Sequence, residues 1–338
     1  MLDEGPDAEK RKCPANRGLG CINCDPCLLL SGWGGAGAFS DGKLTLSTEV
    51  GGWLNEYCGR ERLAEHIDYV DKVYLKFGAP SRLYGKDADE ISEIERKASF
   101  AGLKLIPQRI RHLGTEKCAE IIRKMRRALE GKVEIKMGTG VKKLLVKDGK
   151  AMGVETTGGE KFLGKYVIVA PGRSGAEWLK GEAQRLGLKT LNNPVDVGLR
   201  VEVLAPVMKE LTDALYEPKF LYYSKAFDDQ VRTFCVCPEG EVVTESYNGV
   251  VTVNGQSYAE AKTGNTNFAV LVTTSFTEPF KEPIAYGKYL ARLTNLLSGG
   301  IIVQRLGDLR AGRRSTEERI KRSPVSYTHL TLPTNREV

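Results

Sequence analysis

KVEIKMGTGVKKLLVKDGKAMGVETTGGEKFLGKYVIVAPGRSG, residues 132–175, decides the fold. Residues 133–137 alternate apolar and polar, the two-residue period of a half-buried strand. Residues 141–146 give a second strand that turns at Asp148-Gly149, where glycine supplies the positive φ a tight hairpin needs. A third strand at 151–156 turns at Gly158-Gly159 into a short one at 161–163. The run Tyr166-Val167-Ile168-Val169-Ala170 is continuously apolar, as in a strand buried on both faces, and it ends in Pro171-Gly172-Arg173-Ser174-Gly175. The pattern predicts a small antiparallel meander feeding a buried strand whose carboxyl end opens into a glycine-bearing loop. Ligands of open α/β sheets gather at such strand ends.

Working outward toward the N-terminus, Leu2-Asp3-Glu4-Gly5 reads as a strand end carrying an acidic residue. In a dinucleotide-binding unit that residue hydrogen-bonds the ribose, and a glycine-rich turn lies about 20 residues upstream. No such turn precedes Glu4, so the chain is expected to be a piece of a longer protein, cut at both ends. Residues 31–44 then hold five glycines, among them Gly34, Gly35 and Gly37 around Ala36. Such a run lets backbone N–H groups approach an anion, and Ser40 and Lys43 add a hydroxyl and a charge. The Gly-Lys-Ser/Thr order of a phosphate-binding loop is absent, and a glycine-rich surface loop is the plainer alternative.

Eight cysteines are present, four of them close together at Cys13, Cys21, Cys24 and Cys27. Four thiolates at this spacing suit one tetrahedral Zn²⁺ or an iron–sulfur cluster. The alternative is a redox-inert loop. Cys58, Cys118, Cys235 and Cys237 are scattered and read as ordinary buried thiols.

Residues 60–76 carry Leu63, Ile67, Val70 and Val73 at helical spacing, 91–103 repeat that character, and Thr115 is placed to cap a helix running to about residue 130. Beyond Asn192 the pattern changes to β-like runs at 195–203, 219–225, 230–236, 241–246, 249–253 and 267–274, then a helix at 284–297. The expected organisation is residues 1–59 as part of a cofactor-binding domain, 60–130 as a helical segment, 131–191 as its meander and strand, and 192–324 as a mainly antiparallel substrate domain. Residues 325–334 look like one reading frame of a transposon sequencing adapter, so 325–338 are set aside from fold reasoning.

With 41% hydrophobic and 28% charged residues the chain reads as globular, and no apolar run reaches the roughly 20 residues of a membrane helix. A cytoplasmic location is the default expectation. The net charge of +7, from 50 basic and 43 acidic residues, is spread through the chain and argues little for nucleic acid.

Glu4-Gly5-Pro6, Cys13-Pro14, the Cys21-x-x-Cys24-x-x-Cys27 run, the 34–44 loop, the meander and Ala170-Pro171-Gly172 together resemble the FAD-dependent dehydrogenases related to glutathione-reductase-type flavoproteins. The resemblance implies an α/β fold: an incomplete FAD-binding Rossmann-like domain with a β-meander, plus an α+β substrate domain. It implies that Glu4 binds the adenosine ribose and that Gly34, Gly35, Ala36 and Gly37 pass near the pyrophosphate or flavin. Val141 would offer backbone groups to the adenine, and Ala170, Gly172 and Arg173 would close over the dinucleotide. The activity implied is an FAD-dependent oxidoreductase acting on a small molecule, with NAD(P)H as a candidate electron donor. The family's opening Gly-x-Gly-x-x-Gly turn and late Gly-Asp-Gly segment are not found, so this piece is expected to lack the means to hold FAD alone.

No side chain identifies itself as catalytic, and nothing names the substrate. His66 sits on a helix, and His112 reads as a surface or structural residue rather than a general acid. A competing reading makes the cysteine cluster a zinc knuckle and the basic runs at 123–127 and 310–322 RNA contacts, in an RNA-binding or tRNA-modifying protein. The meander and glycine loops have no role in that reading, which disfavours it.

Overall fold

The computed structural model describes residues 1–14, 22, 24–247, 249–277, 279–280 and 282–325. The protein is mixed α/β, and among the described residues its strands pair antiparallel apart from one short parallel pair. It divides into two units, Met1–Ser40 with Glu116–Leu191 and Asp41–Thr115 with Asn192–Val338. No helix of the described residues is long and apolar enough to cross a membrane.

In the first unit Leu2–Asp3 runs parallel to Lys136–Met137. Hydrogen bonds from Gly138 N to Gly5 O and from Thr139 N to Asp3 O carry the pairing beyond the strand ends. The meander forms as expected from Val141–Lys147, Lys150–Thr156 and Lys161–Leu163. Its first turn has Asp148 and Gly149 both at positive φ, 49° and 74°, whose twist matches that of the flanking strands. The helix Ala176–Arg185 is tied to the meander by buried Glu182, which accepts from Leu144 N at 2.7 Å and from Arg185, while Arg185 donates to Leu144 O at 2.9 Å. On the helix Thr115–Ala128, Ile121 is buried and the Ile122 carbonyl accepts from Trp33 Nε1 at 3.0 Å.

The run at 166–170 departs from expectation. It is not a strand, and Tyr166 and Ile168 are 80% and 93% exposed. Continuous apolarity specifies burial only where a neighbouring strand supplies hydrogen bonds and cover, and no described strand pairs with this run.

In the second unit a five-stranded antiparallel sheet takes the order Lys104–Leu105, Phe220–Tyr223, Gln230–Cys237, Asn265–Thr274 and Val195–Leu204. The helix Ala88–Phe100 is capped by Asp87, whose carboxylate accepts from Asp89 N and Glu90 N. Its buried Ile94 packs with Leu105, Ala214 and Leu215, and Ile91, Leu211 and Phe220 close the cluster. A separate pair, Lys43–Leu46 with Arg109–His112, sets Lys43 opposite His112. Arg111 on that pair holds Asp71 of the helix Arg60–Lys76 through two hydrogen bonds of 2.6 and 2.7 Å. The hairpin Glu241–Tyr247 with Val250–Gln256 completes the unit's strands.

Candidate functional site

The densest chemistry lies in the second unit, where the Gln230–Cys237 strand is irregular. Its register against Asn265–Thr274 shifts between Phe234 and Cys237, and Cys235 adopts φ 49°. Residues two apart on a regular strand point the same way but stand well separated. Here the bulge brings Cys235 Sγ to 3.9 Å from Cys237 Sγ. Lys43 Nζ lies 3.6 Å from Cys235 Sγ, 2.8 Å from Asp41 Oδ2 and 3.0 Å from Glu217 Oε2, and it donates to Val236 O at 2.8 Å. Glu217 Oε1 accepts from Cys235 N, and Arg200 donates to Cys235 O at 3.1 Å.

Burial alone would push the Lys43 ammonium's pKa down. Cys237, Asp41, Glu217 and Cys235 around it outweigh that, and it stays charged well above the ordinary lysine range. The Cys235 thiol is drawn down, first by its hydrogen-bond contact with Cys237 and then by Lys43 and Arg200, against burial and Asp41. Cys237, fully buried, is pushed up by its hydrogen-bond contact with Cys235 and by burial. The pair therefore consists of a partly exposed Cys235 with thiolate character and a buried Cys237 that keeps its proton. Asp41, Cys235 and Cys237 also present three ligand atoms within 4.8 Å of one another, a donor set for a soft divalent cation. The Lys43 ammonium already supplies positive charge to all three and competes with any such ion.

Beside this cluster the His112 ring stacks on Tyr216, centroids 4.2 Å apart. Ser257 Oγ lies 3.2 Å from His112 Nε2 and accepts from the Tyr216 hydroxyl at 3.1 Å. Burial drives the His112 pKa down to about 4, so it is neutral near pH 7, and burial likewise pushes the Tyr216 hydroxyl upward. His112 is a half-buried, hydrogen-bonded residue of this site, the structural one of the two alternatives expected for it.

The cofactor residues expected from the sequence fall mainly in the first unit. Glu4 follows the Leu2–Asp3 strand and is exposed; its Oε1 accepts from Ser31 Oγ at 2.8 Å and Ser174 Oγ at 3.1 Å. The acidic strand end, the glycine loop and the segment after Ala170-Pro171-Gly172-Arg173 thus meet in one place. Gly34 is glycine for packing, since a Cβ there would stand 2.5 Å from Ile122 Cγ2. Gly35 to Phe39 form a 3₁₀ turn in which Ala36 and Gly37 are exposed, and a Cβ on Gly37 would meet nothing within 4 Å. Ser40 Oγ is 3.4 Å from Gly37 O. Val141 opens the meander, and Ala170, Gly172 and Arg173 are exposed. Lys43 belongs to the second unit and is buried in the thiol cluster.

Of the expected metal ligands, Cys21 lies outside the described residues. Cys13, Cys24 and Cys27 are part-buried free thiols that do not come together as a metal-ligating group among the described residues. Cys235 and Cys237, expected as ordinary buried thiols, instead pair with each other. The available signal was the Cys-x-Cys spacing itself, which places two thiols on one face of a strand.

Residues 197–334 match the family model described as "FAD-dependent protein, C-terminal domain-like". A Clostridium beijerinckii (strain ATCC 51743 / NCIMB 8052) protein of no assigned function is 27% identical over 346 residues, covering 94% of this chain. The chain spans 56% of that relative's length. Among solved structures, the glycine oxidase of Geobacillus kaustophilus is 13% identical, with 93% of this chain and 81% of that one covered and a TM-score of 0.32. The glycine oxidase of Bacillus cereus ATCC 14579 is 16% identical over 67% of this chain and 49% of its own, with a TM-score of 0.23. At these scores the structural likenesses are distant; the part of the chain that is similar to a named family is its second half, and that family is FAD-dependent.

Proposed function

We propose that this chain is part of an FAD-dependent oxidoreductase. The observation that carries the proposal is the match of residues 197–334 to an FAD-dependent protein family. The first unit supports it through Glu4. This exposed carboxylate stands at the carboxyl end of a parallel strand pair, with one oxygen fixed by two serine hydroxyls and Oε2 accepting from none of the described residues. A free carboxylate oxygen at that position suits a ribose diol.

FAD would supply the hydride or electron transfer, and the protein's part is to hold and orient it. Glu4 would accept from the ribose, and the open backbone around Gly37 and Gly172 leaves room for close approach of a phosphate-bearing ligand.

The test is flavin absorbance and fluorescence after dialysis of the protein expressed from its source gene. Stoichiometric FAD is expected, and Glu4→Ala should weaken FAD affinity by about tenfold through loss of a charge-assisted hydrogen bond. A full-length product that binds no flavin would refute the proposal. NAD(P)H is the electron donor to try first, by anaerobic bleaching of the flavin band.

A further inference from the structure

We propose that Cys235 and Cys237 form a redox-active dithiol that exchanges with a low-molecular-weight disulfide, Cys235 attacking and Cys237 resolving. The chemistry uses only side chains of the second unit and stands whether or not the protein binds flavin.

Three arrangements on the Gln230–Cys237 strand lead there. The first is proximity: the register shift and the left-handed Cys235 bring the sulfurs to 3.9 Å, so a rotamer change moving them about 1.9 Å closer would reach disulfide bonding distance. A left-handed backbone at a non-glycine residue is costly, and such strain gathers where function requires it. The second is the charge environment. Lys43 Nζ stands 3.6 Å from Cys235 Sγ, the lysine is buried with its side chain 6% exposed, and it is held there by Asp41, Glu217 and the Val236 carbonyl. An ammonium fixed at that distance stabilises a thiolate, the form that attacks disulfides. The third is asymmetry of access: Cys235 is partly exposed and Cys237 fully buried, so an external disulfide reaches the first sulfur and only the first sulfur reaches the second. Two inert core thiols would need neither the buried lysine nor the bulge.

The reaction balances without further reagents. The Cys235 thiolate attacks one sulfur of a disulfide RSSR, forming the Cys235–S–S–R bond and releasing RS⁻. Cys237 gives up its proton, and its sulfur then attacks Cys235 Sγ, forming the Cys235–Cys237 disulfide and releasing the second RS⁻. The protein loses two electrons and RSSR gains them, and the products are two RSH once the thiolates take up the two protons of the original dithiol.

The probe is oxidised glutathione. The reduced chain is mixed with it, quenched in acid, alkylated and mapped by mass spectrometry, with circular dichroism confirming that each variant is folded. In the unsubstituted protein the peptide beginning at Thr233 should lose two hydrogens and carry no glutathione, and dithiothreitol should restore it. Cys237→Ser should trap glutathione on Cys235, whereas Cys235→Ser should trap at least about tenfold less on buried Cys237 within the same time. Two results would overturn the proposal. One is an unsubstituted protein that leaves Cys235 and Cys237 reduced while another partly exposed cysteine, Cys58, becomes glutathionylated. The other is stoichiometric Zn²⁺ in the purified protein that is lost in Cys235→Ser and blocks alkylation of both thiols, which would assign the sulfurs to a metal.

Discussion

Lys43→Met is the substitution that most sharply tests the account of the second unit. The lysine side chain is 6% exposed and lies 2.8 Å from Asp41 and 3.0 Å from Glu217, whose side chains are 12% and 9% exposed. Methionine fills nearly the same volume, so the change removes charge with little loss of packing. Two carboxylates and the Cys235–Cys237 pair are left without their buried cation. Removing one partner of a buried ion pair costs about 3–5 kcal/mol, against a total stability of about 5–15 kcal/mol for a typical domain. Urea unfolding at neutral pH, followed by tryptophan fluorescence and far-ultraviolet circular dichroism, measures the difference once the two probes are shown to coincide. Adding Glu217→Gln should recover about 1–2 kcal/mol, because the amide removes one uncompensated charge. A loss below about 1 kcal/mol in the single variant would mean that Lys43 behaves as a solvated surface charge, and the reasoning would fail.

The remaining predictions use the same observables. His112 is pushed down to about 4 from 6.5 by burial, so the unfolded chain takes up a proton between those values that the folded chain refuses. Its contribution is therefore intact above about pH 6.5, falls as pH drops toward 4 and then levels off, by up to about 3 kcal/mol; His112→Gln should remove that component from the pH dependence of the urea midpoint, and an unchanged profile would count against it. A Cβ on Gly255 would stand 2.2 Å from Arg200 Nη1 and 2.4 Å from Asn267 Oδ1, so Gly255→Ala should displace Arg200 from the Cys235 carbonyl and cost about 1–3 kcal/mol in the same melt. Gly37→Leu, built into open space, should change stability by less than about 1 kcal/mol yet lower FAD affinity of the full-length product, which flavin fluorescence titration will show; unaltered affinity would take Gly37 out of the cofactor site.

The meander and most of the strands after residue 192 were legible because alternation and glycine turns are local signals. The helices at 60–76 and 115–128 were legible for the same reason, and their ends moved little. The apolar run at 166–170 misled because apolarity reports a demand for burial and not its supply, and Ile168 stands 93% exposed. The thiol cluster was illegible for a different reason. Lys43, Glu217 and Cys235 are far apart in sequence, and what joins them is a one-residue bulge that no pattern of hydrophobicity encodes. Glu4 was legible as an acidic strand end, but its serine partners at 31 and 174 were visible only once the chain had folded.

Arg11 shows how a loop can be built without a ladder. Its guanidinium donates to the carbonyls of Leu28, Leu29, Trp33 and Gly35 at 2.6 to 3.1 Å, and the residue is 5% exposed. Four backbone acceptors that a sheet would have satisfied one by one are instead gathered by a single planar fork. One side chain thereby ties together the segment that carries Ser31 and the glycines, adding to the hydrogen bonds of Ser31 N to Cys27 O and Gly32 N to Asp3 Oδ1. A lysine has the charge but only three donors radiating from one nitrogen, so it cannot span acceptors spread over residues 28–35. The geometry of the Glu4 site therefore depends on a residue that touches neither Glu4 nor any hydroxyl bound to it.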